Sequence, residues 1–284
     1  MSSAQASWWG VPSGLLGRLA RAVWISIVLL SSAAAQQPQP SATEELLLFF
    51  YRDPRPERLT ALIDEYEASL PASMPDSRRW EAYPPIVGLL AIVFRKHPDR
   101  IEQLIPAKIS PRAADALAAA LLLSGNQALA KKLQPRFDQA GSDATLKAQL
   151  AGLPPRLESV QIQIPTHLDI MWGAAFASGD GTFVVMIVDY FASTANVSEA
   201  VAVDIMRAVG ARFGGPKETL IELRKKYGDA GFVRIVYAAT ALWALHANAL
   251  RHEFVEQAIA KYVAEHPSSN AGKILALRPK SKKP

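Results

Sequence analysis

Asn248, Arg251 and His252 stand at i, i+3 and i+4 near the end of an apolar run. On one helical face that spacing gathers an amide, a guanidinium and an imidazole, a set suited to an acidic ligand. The competing use is structural: the trio caps a turn and pairs with an acid such as Asp169, which is how most polar groups inside helical arrays are satisfied. Trp172 and Phe176, four residues apart, are suited to a stacking platform or to a core, and large apolar groups at this spacing are more often core. Asp169 and Asp180 are too far apart for two-carboxylate hydrolysis, about 16 Å along a helix. Of the five histidines, His97 and His266 precede prolines at helix ends and serve as caps, while His246 follows Leu242 and Leu245 on an apolar face and reads as a core residue.

The chain holds no Cys, which removes disulfides, thiolate nucleophiles and Cys-ligated metals. His-Glu-x-x-His, Gly-x-Ser-x-Gly, the phosphate-cradling glycine loop and the dinucleotide fingerprint are all absent from the sequence. No cofactor, no metal site and no catalytic residue is therefore assigned. The formal charge is +5, but Arg18 and Arg21 near the start and Lys273, Arg278, Lys280, Lys282 and Lys283 at the end carry more than all of it. The rest is slightly acidic, which argues against a nucleic-acid groove. The basic tail is suited at most to weak contact with an anionic surface.

The elements that must position these residues read as helical hairpins. From Thr166 to Phe191 an apolar helix with Leu168, Trp172 and Ala175 on one face meets Gly179, a turn, and a second helix with Val184, Ile187, Val188 and Phe191. Thr166 is its expected N-cap. The same logic recurs around Asp53, His97, Gly125 and His252, giving five hairpins with unevenly spaced turns. The fold class is all-α: an irregular array of antiparallel helical hairpins, α-α superhelix-like, without a fixed repeat.

Arg18 and Arg21 precede the apolar run Val23 to Leu30, and Ala33, Ala34 and Ala35 supply an Ala-x-Ala site before Gln36. This is the layout of a cleaved N-terminal signal peptide, and the run is shorter than the about 20 residues of a membrane span. The organisation reads as a signal peptide over 1–35, a Gln/Pro linker over 36–40, an N-terminal helical layer over 41–152, an extended linker over 153–165, a C-terminal helical layer over 166–272 and a basic tail over 273–284. Val160, Ile162 and Ile164 alternate with polar residues in the linker, whose prolines disfavour helix. Ser198 or Asn196 is expected to cap the helix that carries Val201 and Ile205. No stable membrane span is expected after cleavage, and the address is periplasmic or secreted.

Through Leu168, Asp169, Trp172, Phe176, Ser178, Gly179 and Asp180, and again through Asn248, Ala249, Arg251 and His252, the chain resembles an uncharacterised family of bacterial exported all-helical proteins with a Leu-Asp-x-x-Trp hairpin. The resemblance covers about two thirds of the mature chain and implies a fold and no activity. Three functions compete. The leading one is an exported scaffold, not an enzyme, that binds a protein or peptide partner in a groove between hairpins, with Asp169, Trp172, Asn248, Arg251 and His252 as binding candidates. The second is a hydrolase or small-ligand binder using Asp169, Arg251 and His252. The third is a structural envelope protein.

Overall fold

The structure, a computed structural model, describes residues 42–69, 84–141, 154–212, 215–216 and 218–277. The expected signal peptide, the linker over 36–40 and the last residues of the basic tail lie outside the described residues. Among the described residues the chain is all helical, with no strand. Twelve α-helices follow in order: α1 Ala42–Phe49, α2 Leu59–Ser69, α3 Pro84–Lys96, α4 Ile101–Leu104, α5 Pro111–Leu123, α6 Gln127–Gln139, α7 Pro165–Ser178, α8 Thr182–Ala195, α9 Glu199–Arg212, α10 Glu218–Ala249, α11 Glu253–Glu265 and α12 Asn270–Ala276. They fall into two compact units that divide at Val188, inside α8.

In the first unit α3 is apolar almost all round, and Ile86, Leu89, Leu90 and Phe94 are fully buried. A helix of that kind must be surrounded. Its main partner is α7, and the two backbones come close enough that only glycine fits at two points. A Cβ on Gly173 would lie 1.8 Å from the Pro85 carbonyl oxygen, and one on Gly88 would lie 1.9 Å from the Ile170 carbonyl oxygen. Pro84 and Pro85 open α3, where the missing N–H costs nothing. On another side α3 packs on α5, and α5 on α6. Ser110 caps α5 by accepting from the Ala113 N–H at 3.2 Å. The amphipathic α6 buries Ala130, Leu133 and Phe137 and leaves Pro135 exposed.

The segment expected to separate two layers is instead packed into this unit. Leu157 is 0% and Val160 3% exposed, a single 3₁₀ turn spans Leu157–Ser159, and burial follows the alternating pattern from Val160 to Gln163 but fails at Ile164, which is exposed. Gly179 ends α7 in the left-handed conformation at φ 72°, its N–H donating to the Ala175 carbonyl at 2.8 Å, as the turn requires. The helix begins at Pro165, with Ile164 at the N-cap position and no side-chain cap, so Thr166 lies inside the first turn.

In the second unit Ser198 caps α9, accepting from the Val201 N–H at 3.2 Å. Asn196 is engaged elsewhere, since its Oδ1 accepts from the Ala271 N–H at 2.9 Å, at the start of α12. Lys273 and the residues just after it are helical, with Ile274 and Leu275 fully buried. The long α10 packs on α9 and α11 and is two helices joined at Gly228, whose φ 66° and ψ 177° no other residue type adopts readily. Arg224 on one side of that bend pairs with Asp229 on the other at 2.6 Å.

Candidate functional site

The sequence candidates are distributed over both units. In the first, Trp172 is 7% exposed and stacks on Phe176 with ring centroids 5.6 Å apart. The two rings belong to the core and offer no platform. Asp169, a little over one helical turn from the start of α7, is partly buried, and burial pushes its carboxyl up to about 6.

In the second unit, α10 ends at Ala249, so the helical face expected of Asn248, Arg251 and His252 stops before its last two members. The Asn248 carbonyl accepts from the Arg251 N–H at 3.0 Å and the His252 N–H at 2.9 Å. His252, 1% exposed, takes extended backbone at the N-cap of α11, and its carbonyl accepts from Val255 and Glu256. Its ring turns inward, tilted against Phe254 at 5.7 Å, whereas Arg251 is exposed. These three residues build the α10–α11 turn and do not present one face. His246 is buried, as its apolar neighbours imply.

A shallow cleft of about 160 Å³ lies in the first unit between the end of α3, the Leu157–Ser159 turn and the start of α8. Its polar groups serve one another. Arg95 pairs with Glu158 and donates to the Leu123 carbonyl at 3.3 Å. Burial of the Glu158 carboxyl opposes ionisation, and the Arg95 hydrogen bond outweighs it, so the group sits below the usual carboxylate range. Asp180 accepts from the Thr182 N–H at 2.9 Å. The volume is below the few hundred Å³ of ordinary ligand pockets. Among the described residues no group of three or more His, Cys, Asp or Glu could hold a metal ion.

Two features escaped sequence reasoning. Asp204, on α9, has a side chain 4% exposed, yet it accepts from Arg207 at 3.0 Å, from Lys226 at 2.5 Å and from the Tyr227 hydroxyl at 2.8 Å. Burial works against its ionisation, and the hydrogen bonds from Lys226, Tyr227 and Arg207 prevail, holding the carboxyl below the ordinary range. Arg207 also reaches Glu222 at 2.7 Å. This network fastens the first part of α10 to α9 just before Gly228 turns the chain. Its sequence signal was an acid in the apolar middle of a helix and, 22 and 23 residues on, the pair Lys226–Tyr227 beside a glycine.

The second feature is the face of α10 beyond Gly228. From Ile235 to Leu250 the sequence contains no Asp, Glu, Lys or Arg. One face of this stretch is core: Ile235, Ala238, Leu242 and Leu245 are at most 3% exposed. The opposite face, which in a surface helix would be polar, carries Val236, Tyr237, Thr240, Trp243, Ala244 and Ala247, all partly exposed. Val233 and Leu250 at its ends are 40% and 42% exposed. Although α10 is long and apolar enough to cross a membrane, 39% of its most apolar window is buried inside the protein. No family model, no curated protein and no solved structure matches the chain.

Proposed function

We propose that the protein is an exported, non-catalytic scaffold of antiparallel helical hairpins that works by docking another polypeptide, and that the docking surface is the uncharged face of α10 beyond Gly228. The observation that carries this reading is the combination of a charge-free stretch with incomplete burial. An apolar face left partly open to water on a folded unit marks an interaction site, and a straight helix with residues at i, i+3, i+4 and i+7 suits helix-to-helix or helix-in-groove recognition. The aromatic pair Tyr237 and Trp243 supplies the anchoring area typical of such surfaces. The location is periplasmic or secreted, on the order Arg18, Arg21, apolar run and Ala-x-Ala in the leading segment.

The chemical alternative is weaker. Its one support is the raised carboxyl of Asp169. An imidazole 1% exposed, as in His252, has no access to a substrate. The test of the docking reading is site-specific photo-crosslinking in cells that carry the chain. A photoreactive side chain at Thr240 should capture another polypeptide, and the same group at exposed Lys225 should not. Equal capture from both positions, or none from Thr240, would refute it.

A further inference from the structure

Gly228 divides α10 into two parts that are held very differently. Beyond it the helix is anchored by Ile235, Ala238, Ala239, Leu242 and Leu245, all at most 3% exposed. Before it, residues 218–227 bury a single side chain, Leu223. Ile221 in the same stretch is 58% exposed. A segment with so little apolar burial belongs to the low end of local stability, where parts of a protein open without the whole unfolding. Its other attachments are polar. Asp204 on α9 accepts from Lys226 and Tyr227, and Arg207 on α9 pairs with Glu222.

We propose that residues 218–227 form a strap that opens from α9 as one unit about Gly228 while the rest of the second unit stays folded, with Asp204 as its catch. Opening uncovers Asp204 together with Ala208 and Ala211, which stand four and seven residues further along the same face of α9 and are 1% and 7% exposed when the strap is closed.

The hinge is visible at Gly228. Its φ of 66° and ψ of 177° suit glycine alone, yet a Cβ there would meet nothing within 4 Å. No neighbour excludes a side chain, so the bend itself is what asks for glycine, and the residue can turn without disturbing its surroundings. At the other end the Gly215 N–H donates to the Gly210 carbonyl at 2.7 Å, which ties the approach to the strap to α9 and lets it return to the same place.

The catch releases without stranding a polar group. The Lys226 side chain is 51% and that of Arg207 39% exposed, so both already reach water. When the strap lifts, Lys226 and Tyr227 exchange a carboxylate for water, and Arg207 keeps Asp204 as its partner at i, i+3 on α9. The Arg224–Asp229 pair across the bend is 64% and 77% exposed and resists little. Lifting the part beyond Gly228 would instead wet a packed apolar face.

Native-state hydrogen exchange of the full chain, read by NMR at rising urea below the melt, tests the strap. The amides of residues 222–227 should share one opening, exchange at least about a hundredfold faster than those of Ala238 and Leu242, and respond weakly to urea, because opening exposes little surface. Asp204→Asn should speed strap exchange at least about tenfold, as loss of a charged hydrogen-bond acceptor implies. Gly228→Ala should do the same with every contact to α9 in place, because alanine resists the bend. Lys226→Met supplies the catch test if Asp204→Asn does not fold. Strap amides that exchange at the rate of Ala238, with its urea slope, would overturn the proposal. A graded rise in rate toward Glu218 would mean end fraying and would overturn it as well. Unchanged strap exchange in folded Asp204→Asn, or in folded Gly228→Ala, would refute the catch or the hinge.

Discussion

Replacing Gly173 by alanine probes the contact on which the first unit rests. The added Cβ would lie 1.8 Å from the Pro85 carbonyl oxygen and 2.7 Å from its carbon, whereas real Cβ contacts essentially never fall below about 3.0 Å. Both obstructing atoms are backbone, so no rotamer change relieves them, and α3 must move away from α7 by more than 1 Å. A gap of 0.5 to 1 Å already forfeits roughly a quarter to a half of each dispersion contact it opens. The separation would run along a seam that includes Ile86, Leu89, Leu90 and Ile170, all at most 2% exposed. Overpacking at backbone therefore costs about 3 kcal/mol, the upper end of the usual range, and exchanging a mid-helix glycine for alanine returns about 1 kcal/mol. The expected net loss is about 2 kcal/mol. In a urea melt with a slope of about 2 kcal/mol/M, the midpoint should fall by about 1 M. Gly88→Ala, 1.9 Å from the Ile170 oxygen, should behave alike. The double variant should lose less than the sum, because the first Cβ has already parted the helices. A Gly173→Ala chain as stable as the parent would refute the close-packed α3–α7 seam.

Asp169→Asn should stabilise the protein near neutral pH. Burial raises this carboxyl to about 6, so the folded chain holds the proton more tightly than the unfolded one, and stability falls as pH rises from about 4 through about 6. Two pH units correspond to about 3 kcal/mol. The amide should recover up to that amount at pH 7.5 and nothing at pH 3.5, and equal melts at pH 7.5 would count against the burial of Asp169. Asp204 has the opposite sign: its depressed carboxyl contributes stability above about pH 4 that is lost as pH falls through its lower folded value. Asp204→Asn should cost about 1 to 3 kcal/mol at pH 7, since Lys226 and Arg207 keep access to water; a neutral effect would mean the network is ornamental to folding. N-terminal sequencing of the product outside the cytoplasm should begin at or near Gln36, and an intact Met1 would contradict export with cleavage.

The helical class, the Gly179 turn and the Ser198 cap were legible because each depends on residues within one or two turns of each other. Trp172 read both as core and as a binding candidate, and at 7% exposure it sits in the core. What the sequence hid depends on distant partners. Asp204 finds Lys226 and Tyr227 on a different segment, and apolar periodicity carries no trace of that. Asn196 was expected to cap α9 and instead accepts from the Ala271 N–H, 75 residues further on, in the first turn of α12. The trio Asn248, Arg251 and His252 reads as one face only if the helix continues, and its end at Ala249 sends His252 inward and Arg251 outward. Ile235 to Leu250 read simply as apolar. That one side of it stays partly open is a property of packing, visible only once α9 and α11 are in place.

The central claim is that the uncharged face of α10 is where another polypeptide sits. Ala244 lies on that face and is partly exposed, so a glutamate there is tolerated by a lone chain and disfavoured under a partner. The deciding measurement is the native size of the protein in fresh extracts, by sedimentation, for the parent chain and Ala244→Glu. The account predicts that the parent sediments above the single-chain size while the folded Ala244→Glu chain sediments as one copy. Identical sedimentation of the two would contradict it.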